Sequence, residues 1–161
     1  MLTLRLATTA DWSRLLDWRN DSAARAAFVS TEIVTVPEHM KWLAKTLSDK
    51  SRRLFIATDD AMGLAVGTAR LDKTKDIVEC SVTVDSRYRG RGYATFIVSQ
   101  LANHVPSDWD CFKLVARIKQ ENTASLRTFT DAGFAYVTTD KSGFVVLERV
   151  LGGRIDVPDQ A

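Results

Sequence analysis

Apolar and polar residues alternate over Leu2-Thr3-Leu4-Arg5-Leu6, the two-residue period of a half-buried strand. Thr8-Thr9-Ala10-Asp11 then has the form of a capping box and opens a helix with Trp12, Leu15 and Leu16 on one face, running to about Asn20. Residues 21–36 are weakly periodic and predict one short helical turn near 23–28, followed by loop. Thr35-Val36-Pro37-Glu38 is a second helix start, and Met40, Leu43, Ala44 and Leu47 continue it as an amphipathic stripe. Two strands at 54–58 and 64–71 flank a hairpin turn at 59–63, and a polar turn at 72–76 leads into an alternating strand at 78–84. Helical spacing returns at 95–105. A loop at 106–108 precedes a strand marked by Phe112, Leu114, Ala116 and Ile118. Asn122 caps a last helix carrying Leu126 and Phe129 that stops at Gly133, and 134–139 with 144–150 form a closing hairpin. The polar end of the chain reads as a tail, giving one domain over 1–150 and a flexible tail over 151–161.

The order is strand, two helices, three strands, helix, strand, helix, two strands. Neighbouring strands with interspersed helices predict an α+β fold: a mixed, mostly antiparallel sheet of about seven strands flanked by four helices. At 161 residues, with 45% hydrophobic and 26% charged residues, the chain can bury a core as one domain. A net charge of +2 is too small to require nucleic acid or an anionic membrane as partner. Cys80 and Cys111 fall in predicted strands without metal-ligand spacing, which reads as buried thiols in a reducing compartment. Residues 1–9 lack a basic start followed by an apolar run, and no stretch approaches the ~20 apolar residues of a membrane helix. The expectation is a cytoplasmic protein that uses no metal.

Chemistry concentrates in Arg87-Tyr88-Arg89-Gly90-Arg91-Gly92-Tyr93-Ala94, between the strand at 78–84 and the helix after it. A strand entering a helix through a glycine-rich turn gathers unpaired backbone N–H groups at the positive end of the helix dipole, which suits a phosphate. The glycines let the backbone approach such a ligand closely.

Arg87-x-x-Gly90-x-Gly92 in this strand–turn–helix setting, with the element order, resembles the GCN5-related N-acetyltransferase (GNAT) superfamily over nearly the whole chain, from Leu2 to about Val150. Asn122-Thr-Ala-Ser125 leading to Ala132-Gly133-Phe134 is similar to that superfamily's helix along the pantetheine arm. Glu79, ten residues before Arg89, stands where many members carry a glutamate. Asp17-Trp18-Arg19-Asn20, Arg25 and Glu38-His39-Met40-Lys41-Trp42 look most like enzymes acetylating nucleotide-linked amino sugars of the pseudaminic acid pathway type. Ribosomal-protein N-terminal acetyltransferases share part of that pattern.

The resemblance implies an acyl-CoA N-acyltransferase fold and direct attack of a neutral amine on the thioester of acetyl-CoA. It implies that backbone groups of Val82 and Val84 hold the pantetheine, and that N–H groups from Arg89 through Arg91, Gly92 and Tyr93 to Ala94 bind the pyrophosphate. Arg side chains would add to that binding, with Asn122, Ser125 and Phe129 along the arm. Glu79 would be the general base, through water, although a surface glutamate in a salt bridge reads equally well. The superfamily usually has tyrosine seven residues after the Asn122 position, as acid to the leaving thiolate. Here Phe129 stands there and cannot donate, which leaves Tyr136 or water for that task. Trp18, Arg19, Arg25, His39 and Trp42 would face the acceptor. The plainer alternatives are core packing for the tryptophans, an ion pair for Arg19 and solvation for His39. A protein N-terminus, another small amine, and a non-catalytic acyl-CoA sensor remain alternative readings. The partner is then a small molecule and neither nucleic acid nor membrane; a homodimer is left open.

Overall fold

The computed structural model describes Met1–Gly152. One seven-stranded sheet runs in the order β1 (Leu2–Leu6), β2 (Arg52–Asp59), β3 (Leu64–Thr74), β4 (Ile77–Val84), β5 (Lys113–Lys119), β7 (Phe144–Val150), β6 (Ala135–Thr139). Every neighbouring pair is antiparallel except β4 with β5. Five α-helices accompany it: α1 (Trp12–Asn20), α2 (Ser22–Ala27), α3 (Val36–Ser48), α4 (Tyr93–Gln100) and α5 (Thr123–Asp131). The fold is the expected α+β one, a mixed and mostly antiparallel seven-stranded sheet, with the turn near 23–28 counted as a helix of its own.

Two cores lie on opposite faces of the sheet. The larger gathers Phe55, Leu71, Val78, Leu114 and Leu147 against Ile97, Val98 and Phe129 of α4 and α5. The smaller sets Leu15 and Trp18 of α1 and Leu43 of α3 on Leu54 and Ile56 of β2. Complete burial of a Leu or Ile contributes roughly 1.5–3 kcal/mol, so even the smaller core holds its helices firmly.

Several local expectations shift. The buried face of α3 is His39, Leu43 and Thr46, not the stripe starting at Met40, which is 38% exposed. The helix is turned by about one residue because His39 Nε2 lies 2.9 Å from Trp12 O, pinning α3 to the start of α1. On α1 the inward residues are Leu15 and Trp18, while Trp12 is 37% exposed. The polar stretch 72–76 is not all turn: Asp72, Lys73 and Thr74 pair with Glu79, Val78 and Ile77, leaving Lys75-Asp76 as a two-residue hairpin turn. Lys75 takes φ 55°, the left-handed backbone such a turn demands. Cys80 is buried in β4 as expected, whereas Cys111 is half-buried and lies outside β5. The C-terminal tail lies outside the described residues from 153 onward; Leu151 still donates its N–H to Phe112 O at 2.8 Å.

Candidate active site

The pairing of β4 with β5 covers three residues only, Ile77–Lys113, Val78–Leu114 and Glu79–Val115. Beyond Glu79 the strands part, and β4 continues to Val84 with its β5-facing edge unpaired. Asp85 N–H donates to Val66 O at 2.9 Å, so the alternation of an antiparallel ladder turns the backbone of the odd-numbered residues onto β3. The N–H and C=O groups of Val82 and Val84 therefore face the slot that β5 has vacated.

At the far end of the slot the chain passes through residues 85–92 into α4. Gly90 and Gly92 have φ 75° and 80°, and no protein atom lies within 4 Å of where a Cβ would stand on either. The glycines are needed here for a left-handed backbone beside open space, with no protein contact to avoid. Among the described residues, the backbone N–H groups from Arg89 to Ala94 donate no hydrogen bond. Consecutive free donors at the start of a helix make a strong anion site.

The arginines of this turn are used differently from expectation. Arg87 is bound to Asp85, with Nε–Oδ1 at 3.0 Å and Nη2–Oδ2 at 2.8 Å. Arg89 pairs with Asp21 at 2.7 Å and donates to Val84 O at 3.1 Å. Arg87 braces the turn internally, and Arg89 ties it to Asp21 at the start of α2. Arg91 lies over the Tyr88 ring at 5.6 Å and forms no ion pair among the described residues. Tyr93 donates its hydroxyl to Asp59 at 2.6 Å. Asp85, 6% exposed, also accepts from Trp18 Nε1 at 2.8 Å. Arg87 holds its carboxyl well below the usual range, Trp18 assists, and burial opposes them.

On the sheet face carrying Glu79, Ser81 and Thr83 lies a cavity of about 670 Å³. Its floor continues through Thr68 and Arg70 of β3, Arg117 of β5 and Phe144 of β7; its walls are α1 and α3, and residues 28–34 roof it. Glu79 is exposed there and has no ion pair among the described residues, so the salt-bridge alternative for it does not apply. The roof is strapped down from below. Arg19 donates to Ser30 O at 2.9 Å, Arg25 to Thr31 O at 3.1 Å, and the Asn20 amide clasps both N–H and C=O of Val34 at 2.8 Å.

Of the acceptor residues expected from the sequence, Trp18, Arg19, His39 and Trp42 line the cavity, and Arg25 does not. Trp18 is 6% exposed and belongs to the smaller core. Arg19 stacks on Phe28 at 4.4 Å, and its Nη1 is buried without a partner. It is therefore not the ion pair weighed for it. His39 is 2% exposed, stacked on Trp42 at 5.6 Å; it is neither solvated nor free, and burial pushes its pKa down against the pull of Trp12 O. Tyr136, expected as a substitute acid, stands 63% exposed on the outermost strand β6, 3.4 Å from Thr139 Oγ1, and does not line the cavity. Phe129 is 3% exposed, edge-on to Phe134 at 5.1 Å, and stands in the larger core. Asn122 accepts from Ser125 N–H at 3.2 Å as the N-cap of α5. Sequence reasoning missed Asp85, whose only signal was a polar residue ending an alternating strand, and missed Arg70 and Arg117, which read as ordinary solvent-facing strand positions. Among the described residues no group of three His, Cys, Asp or Glu could hold a metal, and no helix is long and apolar enough to cross a membrane.

Comparison with known proteins adds four findings. The family model for an acetyltransferase (GNAT) domain matches residues 1–135. The L-2,4-diaminobutyric acid acetyltransferase of Streptomyces coelicolor is 38% identical over 69 residues, which are 43% of this chain and 41% of that enzyme. The match thus spans less than half the length of that relative. Among solved structures, the aminoglycoside acetyltransferase AAC(6')-Ib in complex with coenzyme A and kanamycin superposes with TM-score 0.78 at 20% identity, covering 93% of this chain and 95% of that one. Spermidine N-acetyltransferase from Vibrio cholerae, in complex with CoA and spermine, gives TM-score 0.81 at 16% identity, again over 93% and 95%. At these identities the likeness is one of fold.

Proposed function

We propose, from the premise that this chain belongs to the acetyltransferase (GNAT) domain family, that it transfers acetyl from acetyl-CoA to a small primary amine held in the cavity above Glu79. The observation that carries the reading is where the β4–β5 pairing stops. It ends at Glu79, so the vacated edge of β4 leads from an unpaired carboxylate on the cavity floor toward the turn whose N–H groups are free.

In this reading Val82 and Val84 bind the pantetheine as a strand would, and the N–H groups from Arg89 to Ala94 take the pyrophosphate. Asn122 and Ser125 flank the arm at the start of α5, and Phe129 backs it from the core. The thioester carbonyl then lies beside Glu79. The amine arrives protonated, and Glu79 takes one proton from it through water, since the neutral amine is the nucleophile. The amine nitrogen bonds to the carbonyl carbon, the C–S bond breaks to expel CoA as thiolate, and the nitrogen gives its second proton to water as the amide forms. With Phe129 buried in place of a hydroxyl and Tyr136 remote, the thiolate is protonated by water. A thiol pKa of ~8.5 makes that leaving group tolerable without a side-chain acid.

Support for the narrower reading, a nucleotide-linked amino sugar, is thinner. A diphosphate wants free guanidinium groups and a uracil wants an open aromatic face. Arg25 donates to Asn20 O and Thr31 O, Arg19 to Ser30 O, and the Trp18 N–H to Asp85. Of that set, half-buried Trp42 offers the ring that could stack.

Release of CoA thiol from acetyl-CoA, followed over UDP-amino sugars, N-terminal peptides, polyamines and amino acids, tests the proposal. Turnover with at least one class is expected. Tight acetyl-CoA binding with no thiol released by any amine would refute it and favour a sensor.

A further inference from the structure

We propose, resting on the acetyl-transfer reading above, that the acceptor is an amphoteric amine, an amino acid whose carboxylate is gripped by Arg70 and Arg117 while its amine faces Glu79. The three residues sit on one face of adjacent strands, β3, β4 and β5. Asp72 is the cross-strand partner of Glu79, which places Arg70 on the diagonal, roughly 7–8 Å away at Cα. Arg117 lies two residues beyond Val115, the β5 partner of Glu79, and so stands on its other side. The floor thus carries a carboxylate between two guanidinium groups.

Each guanidinium is oriented by its own acid outside the pair. Arg70 Nε donates to Asp72 Oδ2 at 2.6 Å. Arg117 Nε donates to Asp140 Oδ2 at 2.8 Å, and its guanidinium lies over the Phe144 ring at 5.0 Å. Among the described residues, neither Nη of Arg70 and not Nη1 of Arg117 donates a hydrogen bond. An arginine has five N–H donors in a planar fork, so one edge fixed by aspartate leaves the other for a second carboxylate. Neither pairs with Glu79, which leaves the central carboxylate free for an amine.

Charge then selects among amines. The lining sets Arg19, Arg70 and Arg117 against Glu32, Glu38 and Glu79, a balance that a ligand with both an amine and a carboxylate meets better than a polyamine, which brings positive charge alone. An uncharged polyhydroxylated amine would leave the forks without an acid. An amino acid answers both signs, and a separation of a few carbons between amine and carboxylate matches the diagonal from Glu79 to Arg70.

The test pairs each diamino acid with the diamine lacking its carboxylate: 2,4-diaminobutyrate with 1,3-diaminopropane, ornithine with putrescine, lysine with cadaverine. CoA thiol release is expected to give kcat/KM at least about tenfold higher for the acid of the best pair. Arg117→Gln and Arg70→Gln should each cut that preference by about tenfold, chiefly through KM of the acid, with Arg117→Lys restoring part of it. Acetyl-CoA affinity, measured by calorimetry, should change less than twofold, which separates lost recognition from lost folding. Equal turnover of acids and diamines, or variants that depress both alike, would overturn this inference alone. No turnover in either series while another amine class releases thiol would also overturn this inference alone, and no turnover with any amine would overturn the acetyl-transfer reading with it.

Discussion

Replacing Asp85 by alanine tests the joint between the donor turn and the acceptor wall. Its carboxylate accepts from Trp18 Nε1 at 2.8 Å, from Arg87 N–H at 2.9 Å and from the Arg87 side chain. Alanine leaves the Trp18 N–H without an acceptor inside the smaller core, at about 1–3 kcal/mol. The lost cap on the 3₁₀ turn at Ser86–Tyr88 adds roughly 1 kcal/mol. The ion pair itself adds little, because the Arg87 side chain is 73% exposed. The sum, about 2–4 kcal/mol, lowers Tm by roughly 4–16 °C for a chain of this size. Urea unfolding of Asp85→Ala, Trp18→Phe and the double variant should give a coupling of about 1–3 kcal/mol between the two sites. Additivity within about 0.5 kcal/mol would refute the strut. The sign with pH follows from the depressed carboxyl: its stabilisation is complete above the ordinary aspartate value of about 3.9 and is lost only as pH falls well below that. Asp85→Ala should therefore flatten the acid limb of the stability profile.

Glu79→Gln removes the proposed proton acceptor and should lower kcat by about 10²–10⁴ while acetyl-CoA affinity holds; full activity across pH 6–9 would eliminate Glu79 as base. Gly90→Val forces a β-branched residue to φ 75°, at about 1–2 kcal/mol of strain. It should weaken acetyl-CoA binding in calorimetry with the sheet's circular dichroism retained; unchanged affinity would remove the turn from the donor site. Gly67→Ala would place a Cβ 2.6 Å from Thr83 O, pushing β4 off β3, and should lower both the urea midpoint and acetyl-CoA affinity. The His39 pKa is depressed by burial, so its neutral form stabilises fully above about pH 6.5 and loses that contribution as pH falls further. Thermal scans should show a decline as pH falls below about 6.5 that His39→Gln lacks.

Period-two and period-3.6 patterns located the elements well because most of the strands and helices bury one face. The turn at 85–92 was legible because its glycines stand alone in a sequence with few of them. What escaped was whatever depends on a partner distant in sequence. Trp18 meets Asp85 across 67 positions, and His39 reaches Trp12 across 27; the second contact turned α3 so that Met40 faces outward. Composition also misled at Asp72–Thr74, where a polar run is strand because β4 supplies its hydrogen bonds. The arginines of the turn looked like phosphate ligands by proximity, yet Asp85 and Asp21 claim two of them.

The cavity roof has a further consequence. Arg19, Arg25 and Asn20 hold it through the main-chain groups of Ser30, Thr31 and Val34. Those straps do not depend on which side chains residues 29–33 carry. Val29 and Ile33 are 77% and 64% exposed, so little packing constrains them either. The roof is a segment whose shape is inherited from α1 and α2 while its chemistry is free to drift. In the proposed acetyl-transfer reading, a lineage could change which amine is admitted by substitutions there alone, leaving the slot beside β4 and the fold untouched.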